Sequence, residues 1–229
     1  MDKKIQKESL KAWEKNATFW DEQMGDYSND FHNQVVKPKV TSLLNIKKGD
    51  YILDVACGNG NYAAYMASQG AQVVAFDFSK KMIALAKKRH QNESDIEFCV
   101  AGATNPKELK KLQKMGPYDK MVSNMAIMDI ATIQPLFDFA YQSLKKGGYF
   151  VFSTQHPCFV TLTNQYKTFH YYQGEAIANQ PCLQYYYHRS LQDLFQVCFQ
   201  AGFVIDGFEE SYYKQKEIPE IIIVRAKKE

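Results

Sequence analysis

Ile52-Leu53-Asp54-Val55-Ala56-Cys57-Gly58-Asn59-Gly60-Asn61 is the stretch that decides the fold. A short apolar run, Tyr51 to Val55, carries an acid near its end and breaks at once into a glycine loop. Helical spacing then takes over, from Asn61 to Ser68, and stops at Gly70. An apolar run of this length bounded by glycine reads as a buried strand, and the segment after the glycines reads as a helix. Glycines between the two let the backbone come close to a ligand.

The same alternation continues downstream. Gln72 to Phe76 is a second apolar run ending at Asp77, and Ser79 to His90 is a lysine-rich amphipathic helix with Ser79 as its cap. Met82, Ile83, Leu85 and Ala86 form the inward stripe of that helix. Ile96 to Val100 reads as a third strand, Pro106 to Lys114 as a helix, and Gly116-Pro117 as a turn. Lys120 to Asn124 reads as a fourth strand and Ile133 to Leu144 as a helix. The Lys145-Lys146-Gly147-Gly148 turn leads into a fifth strand, Tyr149 to Ser153. Strands alternating with helices imply βαβ units and a parallel sheet, which binds ligands at the carboxyl ends of its strands. The loops after Val55, Phe76, Val100, Asn124 and Ser153 are therefore the places to look for a site. After an aperiodic stretch, Leu191 to Gln200 reads as a helix, Phe203 to Phe208 as a strand, and Ile218 to Ala226 as a last strand in an antiparallel edge hairpin.

Composition narrows the possibilities. The chain has 229 residues, enough for one domain with a full core. A formal charge of +3 gives no reason to expect nucleic acid or a membrane surface as partner. The lysines at 80, 81, 87 and 88 and at 107, 110, 111 and 114 read as solvated helix faces. The segment MDKKIQKESLK lacks the apolar region of a secretory signal, and no run of about 18 apolar residues exists to span a bilayer. Five cysteines with no CxxC pair argue against structural zinc and a disulfide scaffold, so a reducing cytoplasm is expected and no metal.

Gly58-Asn59-Gly60-Asn61-Tyr62-Ala63 fits a dinucleotide fingerprint with alanine last. Asp77, about twenty residues on, is placed to accept hydrogen bonds from ribose hydroxyls. Asp54 separates the candidate ligands. A dinucleotide lays its pyrophosphate over this loop and the helix N-terminus, where a carboxylate would repel it. S-adenosylmethionine has no phosphate and carries an ammonium and a sulfonium, both attracted by a carboxylate.

These segments resemble the motifs of class I S-adenosylmethionine-dependent methyltransferases. Ile52 to Gly60 is similar to their first motif, and Val74-Ala75-Phe76-Asp77-Phe78-Ser79, with Met82 and Ala86 behind it, to their second. Tyr118-Asp119 before Met121-Val122-Ser123-Asn124, and Leu144 to Gly148, are similar to the fourth-strand motif and the turn before the fifth strand. The resemblance covers nearly the whole chain. It implies a Rossmann-like, doubly wound seven-stranded α/β sheet, mostly parallel, with an antiparallel terminal hairpin. It implies S-adenosyl-L-methionine as cofactor: Asp54 and the backbone at Ala56, Gly58, Asn59 and Gly60 on the methionine part, Asp77 on the ribose, and Phe78 and Met82 beside the adenine. Asn124 and Met125 would lie near the methionine amine. After the third strand, where the family often has Asp-Ala, this chain has Gly102-Ala103-Thr104, so Ala103 and Thr104 would meet the adenine without an acid.

The loop Asn124-Met125-Ala126-Ile127 lacks the Asn/Asp-Pro-Pro-aromatic signature of base amino-methyltransferases, which favours a small-molecule acceptor. Gln155-His156-Pro157 and Tyr187-His188-Arg189-Ser190 resemble bacterial members of small-molecule or unassigned substrate. His156 is the candidate general base or orienting group, against a loop-stabilising role. His188 reads as a hydrogen-bonded hinge beside Arg189. The expected organisation is a single domain over residues 1–229: a helical cap (1–45), a core (46–153 and 191–229) and a substrate-side insertion (154–190). The cap, with Trp13, Trp20 and Phe31, would pack over the cofactor mouth, and the insertion, rich in aromatics from Phe159 and Tyr166 to Tyr187, would cover an apolar pocket floored by His156. Two other classes stay open: a cofactor-binding or regulatory module without chemistry, and a nicotinamide-dependent oxidoreductase. The chain would act as a monomer or homodimer.

Overall fold

The computed structural model describes residues 3–160, 165–214 and 217–229, with side chains from residue 5 onward and none at 159 and 160. The order of elements is α1 (Lys3–Met24), a π-helical turn (His32–Val36), α2 (Lys37–Leu44), β1 (Tyr51–Val55), α3 (Asn61–Ser68), β2 (Gln72–Asp77), α4 (Lys80–Arg89), β3 (Ile96–Val100), α5 (Pro106–Met115) and β4 (Tyr118–Ser123). Next come a 3-10 turn (Ile127–Asp129), α6 (Gln134–Ser143), β5 (Leu144–Gln155), the single turn α7 (Pro157–Val160), β6 (His170–Gly174), β7 (Gln184–His188), α8 (Leu191–Ala201), β8 (Val204–Ser211) and β9 (Ile221–Lys227).

Seven strands form one sheet in the order β3-β2-β1-β4-β5-β9-β8. All neighbours are parallel except β9, which runs antiparallel to both β5 and β8. This is the doubly wound α/β sheet with an antiparallel terminal hairpin that the alternation predicts. β1 at the centre is buried from Ile52 to Val55, as a strand covered on both faces must be. One apolar cluster joins the sheet to α5, α6 and α8 through Leu109, Leu112, Phe137 and Leu194. The other joins it to α2, α3 and α4 through Val40, Leu44, Met66 and Ile83. Burying a Leu- or Phe-sized side chain contributes about 1.5–3 kcal/mol, so these two layers carry most of the stability. Among the described residues, no helix is long and apolar enough to cross a membrane.

Three expectations change. The Lys145 to Gly148 turn is instead the irregular start of β5, where pairing with β4 shifts between Tyr118 and Lys120. Gly148 explains the close approach: a Cβ there would lie 2.7 Å from the Asp119 carbonyl oxygen. The insertion, aperiodic in sequence, contains a second two-stranded sheet, with β6 and β7 paired from His170↔His188 to Gly174↔Gln184. The third change concerns His156, which is turned toward Glu210 of β8 rather than toward the ligand edge.

Candidate active site

β1 and β2 are in parallel register, with Asp54 opposite Ala75 and Val55 opposite Phe76, so Asp54 and Asp77 come to the same carboxyl edge. The loop after β1 then turns back on β2: Cys57 N–H donates to the Phe76 carbonyl at 3.0 Å, and Gly58 N–H donates to Asp77 Oδ2 at 3.2 Å. Three residues of this loop hold left-handed backbone, Ala56 at φ 55°, Gly58 at φ 56° and Gly60 at φ 79°. A Cβ on Gly58 would also meet the Trp20 ring at 3.2 Å, a contact tight enough that the ring would have to shift, so glycine is favoured on both counts. Gly60 sits deeper, at φ 79°, and a Cβ there would strike Phe98 at 2.7 Å. Its job is packing the start of α3 against the sheet.

This edge opens into a cavity of about 670 Å³ lined by elements from the N-terminal segment, the glycine loop, the loops after β2, β3 and β4, and β7. That size lies within the ~300–1,000 Å³ usual for ligand sites. Asp54, Ala56, Gly58, Asn59, Asp77, Phe78, Met82, Ala103, Thr104, Asn124 and Met125 all line it; Gly60 and His156 do not.

The electrostatics are unusual. Asp54 is 2% exposed, and its Oδ2 has no hydrogen-bond partner. Burial, then the neighbouring Asp77 charge, pushes its carboxyl up to about 8. Asp77 accepts from Ser79 N–H at 2.9 Å as well as from Gly58. Burial raises Asp77 to about 6, with these backbone donors pulling the other way. Asn124 Oδ1 is also buried and unpaired, and Met125 holds left-handed backbone at φ 50° with its N–H on Ser153 Oγ at 2.9 Å. Of the eight buried unpaired side-chain polar atoms among the described residues, five belong to residues lining this one cavity: Asp54, Asn61, Asn124, Asp129 and Tyr187. Buried polar groups are normally paired, so such a concentration marks a place shaped for a polar ligand.

His156 is elsewhere. It is buried at 3% exposure, its Nδ1 accepts from Cys158 N–H at 3.0 Å, and Nε2 lies 3.1 Å from Glu210 Oε1. Since Nδ1 accepts, the proton sits on Nε2 and is donated to Glu210. The ring locks the end of β5 to β8 and does not floor the pocket. Gln155, the residue before it, alternates to the opposite side and lines the cavity instead. His188 is held in a hydrogen bond, with Nε2 2.7 Å from the Tyr166 carbonyl oxygen. The Phe159 side chain lies outside the described residues.

Sequence reasoning missed two features. The first is how α1 ties the site together. Trp20 covers Gly58, Asn59 Nδ2 donates to Asp21 Oδ1 at 3.0 Å, and Arg89 of α4 clamps Asp21 at 2.8 Å. On its other side Asn16 accepts from Cys182 N–H at 2.9 Å and donates to the Cys182 carbonyl at 2.8 Å, gripping the strand hairpin of the insertion. The second is Asp129, in the turn after β4. An acid following Ile127-Met128 in a loop at the ligand edge was the available signal.

Residues 29–206 match the family described as a methyltransferase domain. The chain is 27% identical over 143 residues to an 18S rRNA (guanine-N(7))-methyltransferase of Schizosaccharomyces pombe, covering 56% of this chain and 51% of that protein. It is 25% identical over 130 residues to a malonyl-[acyl-carrier protein] O-methyltransferase of Enterobacter lignolyticus, covering 54% and 47%. It thus spans about half the length of these curated relatives. The magnesium protoporphyrin IX methyltransferase of Synechocystis, solved with bound S-adenosylhomocysteine, superposes with a TM-score of 0.66 at 17% identity, covering 95% of this chain and 96% of that one. With a match across most of its length and this sheet order, the chain belongs to the methyltransferase domain family and has the fold of its S-adenosylmethionine-dependent members.

Proposed function

We propose that this chain is an S-adenosylmethionine-dependent methyltransferase acting on a small-molecule acceptor. The observation that carries the reading is the pair Asp54 and Asp77, two buried carboxylates at adjacent strand ends facing one cavity, with Asp54 Oδ2 unpaired. A cation is what such a pair lacks, and a diphosphate is what it excludes. The residues fit the cofactor. Asp54 would take the methionine ammonium, with the backbone at Ala56, Gly58 and Asn59 and the amide oxygen of Asn124 around it. Asp77 would accept from the ribose hydroxyls, while Phe78, Met82, Ala103 and Thr104 would wall the adenine. Met125 would place the backbone of the β4 loop against the methionine end.

When bound, the cofactor supplies a sulfonium methyl group that a nucleophile displaces in line. The chain's contribution is orientation and the exclusion of water. Trp20 over Gly58 closes one side, and Tyr186 and Tyr187 of β7 line the other. Residues 1–45 act as a cap and 154–190 as the acceptor-side insertion on one domain. A small acceptor fits a cavity of this size with aromatic lining residues better than a helical nucleic acid does, and the net charge of +3 is small.

Calorimetry with S-adenosylhomocysteine and with NAD tests the reading. The first is expected to bind and the second not. Heat from NAD alone would overturn it in favour of an oxidoreductase. Cofactor binding with no methyl transfer to any small-molecule extract, alongside transfer to purified rRNA, would overturn the acceptor class.

A further inference from the structure

We infer that Asp129 is the acceptor-binding carboxylate, and that the acceptor is a small molecule presenting an amine, held as its ammonium against Asp129 between aromatic walls. This rests on the methyltransferase reading and adds the substrate class.

Asp129 is the last residue of the 3-10 turn after β4, and its backbone N–H closes that turn on the Ala126 carbonyl at 2.9 Å. The side chain lines the same cavity as Asp54 and Asp77, and its Oδ1 is shut from solvent without a hydrogen-bond partner. Tyr187, whose hydroxyl is also buried and unpaired, lines the cavity as well. The cofactor reading uses Asp54, Asp77 and Asn124 and leaves these two groups unclaimed.

The turn is built to hold the acid in place. Arg189 is buried, and its guanidinium donates to the carbonyls of Ile130 at 2.7 Å, Ala131 at 2.8 Å and Ile127 at 3.4 Å. It grips the backbone on both sides of Asp129 without pairing with the carboxylate. Arg189 is thus a positioning residue.

Charge selects the class of acceptor. Among the described lining residues the acids are Asp26, Asp54, Asp77, Asp129, Glu175 and Glu220, against a single lysine, Lys37, and no arginine. Lys37 is already engaged, with its Nζ 4.0 Å from the Tyr65 ring centre. A carboxylate or phosphate ester entering this space meets repulsion and no guanidinium to receive it. An ammonium meets Asp129 in a cavity that Trp13, Tyr186 and Tyr187 also line, the aromatic surroundings that favour a cation in an apolar site. Burial, and then the charge of Asp77, hold the Asp129 carboxyl well above its usual range. The arriving ammonium displaces the carboxyl's own proton to solvent, and the ionised Asp129, a stronger base than an ordinary carboxylate, can then take the proton that the ammonium must lose before nitrogen becomes a nucleophile. The amine lone pair then forms the new N–C bond as the methyl C–S bond breaks. The bonding pair stays on sulfur, the methylated nitrogen carries the positive charge, and Asp129 keeps the proton.

The test uses the full chain saturated with S-adenosylhomocysteine. Phenethylamine and tryptamine are titrated beside their alcohol counterparts, phenethyl alcohol and tryptophol, and their carboxylate counterparts, hydrocinnamate and indolepropionate, by calorimetry. The amines are expected to bind about tenfold or more tightly than the alcohols, the scale of a hydrogen bond to a charged group. Asp129→Asn should erase that preference while S-adenosylhomocysteine affinity, measured on the same sample, stays within about twofold and reports an intact fold. Equal binding of amines and alcohols, a preference for carboxylates, no binding by any of the six, or an amine preference that survives Asp129→Asn would each overturn the assignment. Failure of the wild type to bind S-adenosylhomocysteine would instead bring down the cofactor reading on which it stands.

Discussion

If Asp54 takes the methionine ammonium, as proposed, cofactor binding is a proton-coupled event. The Asp54 carboxyl is raised to about 8 by burial and by Asp77. At pH 7 the apo site thus holds about ten protonated molecules for every ionised one. An ammonium needs the ionised form. Binding must therefore expel about one proton, and the apparent affinity is the intrinsic affinity multiplied by the ionised fraction. Between pH 6 and pH 7 that fraction rises about tenfold, which is about 1.4 kcal/mol of binding free energy. Asp77, at about 6, is mostly ionised by pH 7 and adds only about a tenth of a proton there. Titrating S-adenosylhomocysteine at pH 7 in phosphate and in Tris, whose ionisation enthalpies differ widely, reads the proton directly. The observed heats should differ by nearly the full difference between the buffers. Asp54→Asn should abolish the difference and flatten the affinity between pH 6 and pH 7. Tight binding with identical heats in both buffers, or the same pH slope in Asp54→Asn, would refute the argument.

Further tests probe the neighbouring parts of the site. In the apo chain, folded-state values above the unfolded ones for Asp54, Asp77 and Asp129 give a stability contribution that is full below about pH 4 and lost as pH climbs through the folded values. The apo melting temperature should thus fall from pH 5 to pH 8, Asp54→Asn should recover about 2–4 °C or more at pH 8, and an unchanged melting profile in that variant would contradict this. Asp77→Ala should weaken S-adenosylhomocysteine binding by roughly 1–3 kcal/mol in calorimetry, since the carboxylate both orders Gly58 and faces the ribose region. Hydrogen exchange over residues 10–35 should slow on adding S-adenosylhomocysteine, because Trp20 and Asp21 hold the glycine loop; equal protection in both states would reduce α1 to packing. His156→Ala should leave S-adenosylhomocysteine affinity unchanged and lower the melting temperature by a few degrees, the effect of losing a buried link between β5 and β8.

The legible parts of the sequence are those where periodicity and chemistry coincide. β1 and α3 begin and end where the apolar run and the glycines say they do, because a doubly covered parallel strand has no polar face to blur the signal. Asp54 and Asp77 were legible for the same reason: an acid ending such a strand has nowhere to point except the ligand edge. The insertion hid its hairpin because β6 and β7 carry runs of tyrosine, His170-Tyr171-Tyr172 against Tyr185-Tyr186-Tyr187, in which inward and outward positions share one residue type. Alternation cannot be read where both phases look alike. His156 shows the opposite failure. A histidine after a strand at the ligand edge invites a chemical role, yet the strand's two-residue period gives that edge to Gln155 and turns His156 toward Glu210. Asp129 escaped notice because a lone acid in a loop is usually solvated. Its meaning arises only in three dimensions, where Arg189, some sixty residues away in sequence, spends its charge on the carbonyls around Asp129 and leaves the carboxylate facing the cavity unpaired. Long-range pairing of this kind is what a linear reading cannot supply.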